Sequence, residues 1–560
     1  MSQIDGSQLV VEALKKEGVK NVFTLSGVPS FGVYDGLASA GIRIIDVRHE
    51  QAAVLMAQGY ARATGQPGVA WVVPGPGVLN AITGIANCYF GSAPVVVLAG
   101  KNPIPDFELS AFHDMDHLQI VRPLTRWCAT VYETHRIAEY VSIAFREACS
   151  GQPSPTFVDF PQDVLETVVD EETVVRPERY RTRTRPFGDP DKVSEAINML
   201  AMGERPIVIA GSGVLWSGAH HELLKFVEYT RIPCLTTPLA RGTIPDNHPL
   251  NCFASRSLAM KKADVILFVG ARLNFILGFG RPPRFNPSAS TIQVDIEPRE
   301  IGRNRPIDVG IVGDAKAVLG QLLDEAKTHK YFPRDLAWSD ELNEEGKKKS
   351  ERLMKWATSD RVPINPIRLC YEISRFLDRD AILTIDGGEI LDFARSVIPS
   401  YVPGARMNPG VTGLLGIGIP YAIAAKIAHP NRQVLCLCGD GSFGFNGLEM
   451  DTAVRHKIPI VLVVSNNATW GLCSSWQKGV YGRDRTFGTM LSYTRYDQMI
   501  EAMGGYGELV ERPEQIRPAL ERAFASGKPA CLNVITDQET SEYSMSAQLR
   551  DISPKNAPSV

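Results

Sequence analysis

The chain has 560 residues, of which 44% are hydrophobic and 22% charged, and its formal net charge is -3 at pH 7. This composition is typical of a globular protein with several domains, and so small a charge gives no reason to expect nucleic acid or a membrane as a partner. No apolar run is long enough to span a membrane, residues 1–18 predict an amphipathic helix rather than a signal peptide, and the ten cysteines are scattered. We therefore expect a cytoplasmic protein without disulfides.

Strand-like apolar runs alternate with helical patterns along the whole chain. Many runs are apolar throughout, which is typical of parallel strands covered by helices on both faces. Two charged stretches, Val168–Lys192 and Ala337–Pro366, interrupt this alternation and predict linkers. The predicted fold class is therefore α/β, with three doubly wound parallel-sheet domains at residues 1–165, 190–330 and 365–540 and a C-terminal tail at residues 541–560.

A single carboxylate stands out in the first domain. Glu50 follows the apolar run GIRII and opens a helix of small and apolar residues, so it lies where a buried strand turns into a helix. An acid favoured by the helix dipole would explain it without any catalytic role. Further along, VVPGPG predicts a glycine-rich turn at Gly75 and Gly77, and SAFHDMDH carries His113 and Asp114.

The middle domain contains one weak nucleotide signal. The stretch IVIAGSGVLWSG places Gly211 and Gly213 after a strand, and Asp295 ends a later strand. Such a set of residues could cradle an adenine nucleotide, but a plain structural turn fits this short pattern equally well.

The third domain carries the most specific pattern. The strand QVLCLC runs into Gly439-Asp440-Gly441-Ser442, and a later apolar strand runs into Asn466-Asn467. Because both motifs follow parallel strands, Asp440 and Asn467 should meet at one sheet edge, where a helix N-terminus suits a phosphate and hard oxygens suit Mg²⁺. A tight turn and a loop cap are the structural alternative.

Together these motifs resemble the thiamine-diphosphate enzymes of the acetohydroxyacid synthase, benzaldehyde lyase and oxalyl-CoA decarboxylase group. The resemblance covers nearly the whole chain, and it is carried by GDG…NN and by RHEQAA at Arg48–Ala53. It implies thiamine diphosphate and Mg²⁺ as cofactors, with Asp440, Asn467 and the Thr469 carbonyl as metal ligands. It also implies Gly439, Gly441 and Ser442 as contacts of the diphosphate.

The resemblance gives several further residues a role. Glu50 would hydrogen-bond N1′ of the aminopyrimidine, which activates C2, and Gly77 would approach the same ring. Gly388 and Glu389 would face the diphosphate, and Leu415 would be the apolar wedge that bends the cofactor. Since these residues lie on different domains, the resemblance implies active sites between two chains, in a homodimer or homotetramer.

The substrate is predicted from two segments of the sequence. ARLNFIL and QVDIEPREI resemble oxalyl-CoA decarboxylase and 2-hydroxyacyl-CoA lyase, which implies an acyl-CoA substrate, no FAD and possible ADP on the middle domain. His113 and Asp114 stand where acetohydroxyacid synthases have a glutamine and a glutamate, and oxalyl-CoA decarboxylase a tyrosine and a glutamate. A histidine beside C2 suits removal of a hydroxyl proton. We expect a 2-hydroxyacyl-CoA lyase that yields formyl-CoA and an aldehyde or ketone. Oxalyl-CoA decarboxylase, or a carboligase like benzaldehyde lyase or acetolactate synthase, is the alternative, and a surface loop is the alternative for His113.

Two further expectations concern the binding of coenzyme A and access to the active site. Arg256 in ASRSLAM and Arg406 in GARMNPG are expected to contact the phosphates of coenzyme A, although exposed arginines are common. The tail after Thr540 is predicted either to close over the active site or to be a mobile chain end.

Overall fold

The computed structural model describes residues 2–540 apart from residues 183, 331, 333 and 483, so the predicted tail at 541–560 lies outside the described residues. The strands form three parallel sheets and one short antiparallel pair. None of the described helices is both long and apolar enough to cross a membrane. The predicted α/β class with three parallel sheets is confirmed.

The first sheet occupies the N-terminal third of the chain, with the strand order β3-β2-β4-β5-β7-β6 and every pairing parallel. Its strands, with the outlying pair β1 and β8, are β1 (Gln3–Asp5), β2 (Asn21–Thr24), β3 (Arg43–Asp46), β4 (Gly68–Val72), β5 (Val95–Lys101), β6 (Trp127–Thr130), β7 (Thr156–Pro161) and β8 (Val168–Asp170). The helices are α1 (Gly6–Lys16), α2 (Phe31–Ser39), α3 (Glu50–Thr64), α4 (Pro76–Gly91), α5 (His117–Val121), α6 (Ile137–Cys149) and α7 (Gln162–Glu166). Every residue of β4, β5 and β7 is buried, as the continuous apolar runs predict.

The second sheet has the order β10-β9-β11-β12-β13 and is also parallel. Its strands are β9 (Pro206–Ala210), β10 (Cys234–Thr236), β11 (Val265–Val269), β12 (Ser290–Asp295) and β13 (Val309–Val312). Its helices are α8 (Pro190–Met202), α9 (Ser212–Trp216), α10 (His220–Thr230), α11 (Arg256–Lys262) and α12 (Ala315–Thr328).

The third sheet has the order β15-β14-β16-β17-β19-β18 and is parallel throughout. Its strands are β14 (Ile382–Asp386), β15 (Arg406–Met407), β16 (Val434–Gly439), β17 (Val461–Asn466), β18 (Tyr506–Val510) and β19 (Ala530–Ile535). The helices of this part of the chain are α13 (Ala337–Ala357), α14 (Pro366–Phe376), α15 (Glu389–Val397), α16 (Gly418–Ala428), α17 (Asp440–Asn446), α18 (Glu449–Arg455), α19 (Gly471–Tyr481), α20 (Tyr496–Ala502) and α21 (Ile516–Ala525).

The two segments predicted as linkers are partly structured. The first begins with β8, which pairs antiparallel with β1, so that Val169 lies opposite Ile4. The second contains the long helix α13, whose Trp338 and Leu342 are buried in an apolar core beneath the second sheet. These contacts were not predicted from the sequence, because α13 is highly charged and only one narrow stripe of it is apolar.

Two late segments of the chain belong to the compact unit built around the first sheet. Ile419–Asn431 and Asn446–Ile458 pack with that sheet, whereas the other two sheets form a separate compact unit. In the first unit the Tyr421 hydroxyl accepts a hydrogen bond from Asn87 Nδ2 at 3.0 Å. A Cβ atom at Gly59 of α3 would lie only 2.9 Å from Tyr421 Cα, so α3 and α16 are in close backbone contact.

Candidate active site

Glu50 is the first residue of α3, directly after the turn that follows β3. The His49 side chain caps this helix, because its Nδ1 accepts a hydrogen bond from the Gln51 N–H at 3.2 Å. Glu50 is only 5% exposed, and its Oε2 accepts a hydrogen bond from Asn80 Nδ2 at 3.0 Å. A buried carboxyl needs such a polar partner, and α4 supplies it.

The glycine-rich turn before α4 lies against this carboxyl. Gly75 has φ of +60°, a value that favours glycine, and forms the N-cap of α4. A Cβ atom at Gly77 would lie 3.0 Å from Glu50 Oε1 and 2.4 Å from Val73 Cγ2. Gly77 therefore allows the turn and the Glu50 carboxyl to approach each other closely.

His113 reaches the same turn from the loop after β5. A Cβ atom at Gly75 would lie 3.1 Å from both Cα and Cβ of His113, so the two residues are in contact. The His113 ring is partly buried and stacks on the ring of Phe112, with 3.7 Å between ring centroids. Asp114 lies in the same loop and donates its N–H to the Ala111 carbonyl at 3.0 Å. The structure thus brings Glu50 and His113 to two sides of one turn.

A buried histidine that the sequence did not single out supports this turn. His117 is fully buried, and its Nε2 accepts the Gly75 N–H at 2.9 Å. Its Nδ1 lies 3.0 Å from Asp159 Oδ2, and Lys101 Nζ lies 3.4 Å from the same oxygen. No spacing rule links residues on three separate elements, so this network shows only in three dimensions.

Glu449 is a second buried carboxyl near Glu50 that sequence reasoning missed. It is 1% exposed, and its Oε1 accepts the Arg48 N–H at 3.0 Å while Oε2 accepts the Thr452 hydroxyl at 2.7 Å. Burial raises the pKa of Glu449 to about 7, and these hydrogen bonds partly oppose the shift. Glu449 therefore holds the backbone turn that carries Glu50.

The third sheet brings the two predicted metal-binding motifs together. Strands β16 and β17 are adjacent, with Gly439 opposite Ser465, so the chain leaves both strands at one edge of the sheet. Asp440 and Asn467 lie directly beyond these ends, and both are buried. Parallel pairing of neighbouring strands is what the sequence predicted, and it holds here.

Asp440 has an oxygen that the protein does not satisfy. The carboxyl is buried, and Oδ1 accepts the Gly441 N–H at 3.0 Å, while Oδ2 has no hydrogen-bond partner among the described residues. Burial raises the pKa of Asp440 to about 6. A buried carboxylate oxygen without a partner is costly, and a hard cation such as Mg²⁺ would satisfy it.

The Asn467 amide is oriented by its neighbours. Its Oδ1 accepts the Thr469 N–H at 3.3 Å and its Nδ2 donates to Glu389 Oε2 at 3.3 Å. Glu389 also accepts hydrogen bonds from the hydroxyls of Ser475 and of Thr540, the last described residue. Burial raises the pKa of Glu389 to about 7, with the two hydroxyls opposing the shift.

The glycines and the serine of GDGS make close contacts within the protein. A Cβ at Gly441 would lie 2.6 Å from the Trp470 ring, and Ser442 Oγ donates to the Gly439 carbonyl at 3.0 Å. At Gly388 a Cβ atom would lie 2.7 Å from the Leu472 side chain, so this glycine also serves packing within the protein. An Asp, an Asn and a backbone carbonyl form a donor set that suits Mg²⁺ with a diphosphate.

Leu415 lies in a turn that the end of β14 holds in place. The buried Asp386 carboxyl accepts the Gly418 N–H at 2.7 Å, and burial raises its pKa to about 7. Gly416, with φ of +88°, follows Leu415, whose side chain is partly buried. Asp386 thus fixes the turn that presents the predicted wedge residue.

The middle sheet gives its glycines a structural explanation. Cβ atoms at Gly211 and Gly213 would lie 2.1 Å and 2.7 Å from backbone atoms of Gly270, so two turns pack backbone to backbone. Asp295 is buried, which raises its pKa to about 6. A small cavity of about 30 Å³ adjoins Gly211 and Arg272. Close packing explains the glycines without a nucleotide.

The two arginines expected to contact coenzyme A differ in their surroundings. Arg406 is buried, and its guanidinium donates to the backbone carbonyls of Pro399, Ala381 and Ala405. Arg256 stacks over the Phe253 ring at 4.8 Å and forms no salt bridge among the described residues. Its pKa is lowered to about 10 by burial and by the positive charges of Arg395 and Arg241. The contacts favour a structural role for Arg406, whereas Arg256 belongs to a positively charged cluster.

Comparison with known proteins places this geometry in a family. Residues 4–120 match the profile described as thiamine pyrophosphate enzyme, N-terminal TPP binding domain. Residues 193–322 match the central domain, and residues 386–534 match the C-terminal TPP binding domain. Thiamine pyrophosphate is thiamine diphosphate under another name.

Full-length relatives carry several different activities in their names. The chain is 38% identical over 534 residues to a probable acetolactate synthase of Mycobacterium bovis, covering 95% of both chains. It is 34% identical over 566 residues to the 2-hydroxyacyl-CoA lyase of Arabidopsis thaliana, covering 95% of this chain and 96% of the relative. Identity to the oxalyl-CoA decarboxylase of Escherichia coli is 32% over 546 residues, covering 96% of each.

The protein belongs to the family of thiamine-diphosphate enzymes. It is an enzyme that acts on carbon–carbon bonds, as the predicted resemblance implied, and the predicted cofactor thiamine diphosphate is confirmed at the level of the family.

Proposed function

We propose that the protein is a Mg²⁺- and thiamine-diphosphate-dependent 2-hydroxyacyl-CoA lyase. It would cleave the C1–C2 bond of a 2-hydroxyacyl-CoA to formyl-CoA and an aldehyde or ketone. The position of His113 carries this proposal, because its backbone contacts the turn that also abuts the Glu50 carboxyl. Relatives named 2-hydroxyacyl-CoA lyase, similar over 95% of this chain, support it.

The cofactor would be held by the edge of the third sheet. Asp440, Asn467 and the Thr469 carbonyl would bind Mg²⁺, and Asp440 Oδ2, which has no partner among the described residues, fits this role. The N–H groups at the start of α17 would face the diphosphate. When bound, thiamine diphosphate would supply the nucleophilic carbon that the cleavage of a thioester substrate requires. Leu415 would pack under the cofactor, and Gly388 and Glu389 would lie beside the diphosphate.

Glu50 and His113 would carry out the proton transfers of the reaction. Glu50 would hold a proton at N1′ of the aminopyrimidine, and Asn80 keeps its carboxyl in place. The substrate hydroxyl must lose its proton as the C1–C2 bond breaks, and the carbon that becomes the formyl group must gain one. His113 is the group that would accept the first of these protons, since an imidazole nitrogen can act as a general base.

Binding of coenzyme A would use the arginine cluster of the second compact unit. After burial, the positive charges of Arg395 and Arg241 lower the pKa of Arg256, and Asp392 lies 3.5 Å from Arg395. An excess of positive charge suits the phosphates of coenzyme A. We expect Arg256→Gln to raise KM for the CoA ester more than it lowers kcat. ADP binding beside Gly211, Gly213 and Asp295, and the absence of FAD, stay predictions from the resemblance.

The decisive assay compares three substrates. Purified enzyme with Mg²⁺ and thiamine diphosphate is given 2-hydroxyisobutyryl-CoA, oxalyl-CoA or pyruvate, and Glu50→Gln serves as the catalytic control. We expect acetone and formyl-CoA from the first substrate, measured by mass spectrometry. If the enzyme releases carbon dioxide from oxalyl-CoA and forms no product from the other two substrates, it is an oxalyl-CoA decarboxylase and the proposed lyase activity is wrong.

Acetolactate synthesis is the second candidate because of one specific observation, the 38% identity to a probable acetolactate synthase over 95% of the chain. Both activities need the same Glu50 and Asp440. Acetolactate formed from pyruvate, without cleavage of any 2-hydroxyacyl-CoA, would favour the synthase and remove the role given to His113.

We also propose that the enzyme works as a homodimer or homotetramer in the cytoplasm with active sites shared between chains. The family resemblance supports this, since Glu50 and Asp440 belong to different domains of the chain. Mixing inactive Glu50→Gln with inactive Asp440→Ala should restore activity, because a mixed assembly contains some sites with both residues intact. Activity that stays absent after subunit exchange, verified by light scattering and native mass spectrometry, would contradict shared sites.

A further inference from the structure

His117 is completely buried, and its two ring nitrogens have different partners. Nε2 must carry a lone pair, because it lies 2.9 Å from the Gly75 N–H, which can only donate. Nδ1 must carry the hydrogen, because it faces the Asp159 carboxylate at 3.0 Å. The neutral Nδ1–H tautomer satisfies both contacts, whereas an imidazolium would set two N–H groups against each other.

Lys101 makes this neutral state compatible with a buried carboxylate. Its ammonium lies 3.4 Å from Asp159 Oδ2 and 4.7 Å from the centre of the Phe107 ring. Asp159 is fully buried, so its negative charge requires a positive partner nearby. Because Lys101 provides that charge, His117 can stay neutral and keep its acceptor for Gly75.

The Gly75 N–H is the point at which His117 reaches the candidate active site. Gly75 is the N-cap of α4 and has no side chain to cap the helix, so its position depends on such external contacts. Gly77 and Asn80 follow in the first turns of α4, and both contact the Glu50 carboxyl. Moving Gly75 would therefore move both neighbours of Glu50.

We propose that His117 is a positioning residue, which places the start of α4, and through it Gly77 and Asn80, against Glu50. Asp159 and Lys101 fix the tautomer that this task requires. The inference rests on the proposed role of Glu50 and on thiamine diphosphate as the cofactor, but it does not depend on the identity of the substrate. It adds to the reaction a residue that contacts neither cofactor nor substrate.

The test uses substitutions that differ in which nitrogen they imitate. His117→Gln places an amide oxygen near the position of Nε2, so it can still accept the Gly75 N–H. His117→Asn reaches only the position of Nδ1, and His117→Leu retains no acceptor. Thr134→Val is the matched control, since it removes a buried hydrogen bond to the Val164 carbonyl in the same compact unit, away from the turn.

Two readouts separate positioning from general destabilisation. In the apo protein, hydrogen–deuterium exchange of a peptide containing the Gly75 amide should accelerate in the Asn and Leu variants and return toward the natural rate in the Gln variant. With cofactor, the exchange of its C2 hydrogen should slow about 100-fold in the Asn and Leu variants, as expected for a misplacement near 1 Å. His117→Gln and Thr134→Val should retain most of the C2 exchange rate.

The outcomes are distinguishable. If Glu50→Gln leaves C2 exchange unchanged, the role of Glu50 is wrong and the proposed function fails. If Glu50→Gln slows the exchange but all three His117 variants match Thr134→Val, the positioning role of His117 is wrong. Rescue by Gln, together with faster Gly75 amide exchange in the Leu variant, supports the inference.

Discussion

The surroundings of Glu50 and of Asp440 differ at the carboxyl itself, because a buried oxygen without a partner among the described residues is found at Asp440 but not at Glu50. Around Glu50, the side chains of Asn80, His117 and Glu449 complete a hydrogen-bonded network that joins the carboxyl and its neighbouring turns. At Asp440, one buried carboxylate oxygen has no partner among the described residues. The first region is therefore organised before any ligand arrives, whereas the second has a buried group that a cation would complete. A group that transfers protons benefits from the first arrangement, and a cofactor-binding site from the second.

The largest effect is expected from removing the Asp440 carboxylate, whose buried oxygen has no partner among the described residues. Asp440→Ala should lower the affinity for Mg²⁺ and thiamine diphosphate by more than about 100-fold, since even outer partners of metal sites are worth about 10- to 100-fold. Isothermal titration of the apo protein measures this loss. Asp440→Asn keeps one oxygen ligand and should lose less. Equal affinities in all three proteins would show that Asp440 is not a ligand.

Glu50→Gln should give the opposite pattern. The amide keeps the shape of the side chain but cannot exchange a proton, so we expect kcat to fall by about 10²–10⁴. Cofactor affinity in the same titration should stay close to that of the natural protein, because the organised region does not hold the diphosphate. If the Glu50→Gln variant binds cofactor weakly but turns over normally, Glu50 serves cofactor binding rather than proton transfer, and its assigned role is wrong.

His113→Ala sharpens the comparison within the organised region. Substrate cleavage should slow by roughly 100-fold through loss of a proton acceptor, whereas C2 hydrogen exchange of the cofactor should stay fast. Phe112→Ala, which removes the stacking ring but keeps the imidazole, is the matched control and should have a smaller effect. If His113→Ala slows both processes equally, or neither, the assignment of the hydroxyl proton to His113 is wrong.

The smallest expected effect concerns the pH dependence of stability. Burial raises the pKa of Glu449 to about 7 from an ordinary value of 4.5, so between these values the folded protein binds a proton that the unfolded chain does not. This carboxyl therefore stabilises the fold least above pH 7, and its contribution is lost as the pH rises through that window. Glu449→Gln should reduce the loss of unfolding free energy between pH 4.5 and pH 7 by on the order of 1 kcal/mol. Thermal midpoints of the apo protein on both sides of the window measure it, with exposed Glu133→Gln as control, and an unchanged slope would contradict the assignment.

Much of the fold and part of the site could be predicted from sequence because they depend on local patterns. Continuous apolar runs predict buried parallel strands, and parallel strands bring Asp440 and Asn467 to one sheet edge. The contacts of His117 with Asp159, and of Glu449 with the Arg48 backbone, could not be predicted, because they join residues far apart in sequence without any spacing rule. Arg406 shows a different limit of sequence reasoning. Its position in the sequence suggested a contact with coenzyme A, but its guanidinium is buried and donates to backbone carbonyls, which the sequence does not reveal.

The composition of the first compact unit has a consequence for the order in which the protein can fold during synthesis. The ribosome releases the strands of the first sheet early, but Ile419–Asn431 and Asn446–Ile458, which pack on them, emerge only after the whole second sheet. At translation rates of about 5–20 residues per second, roughly tens of seconds pass between the synthesis of helices α3 and α4 and the synthesis of Tyr421, which packs on them. During that delay the surface around Gly59 and Asn87 is uncovered, so the nascent chain should depend on chaperones most between the first sheet and residue 458. Moving the two late segments by circular permutation should change the yield of folded protein rather than its final stability.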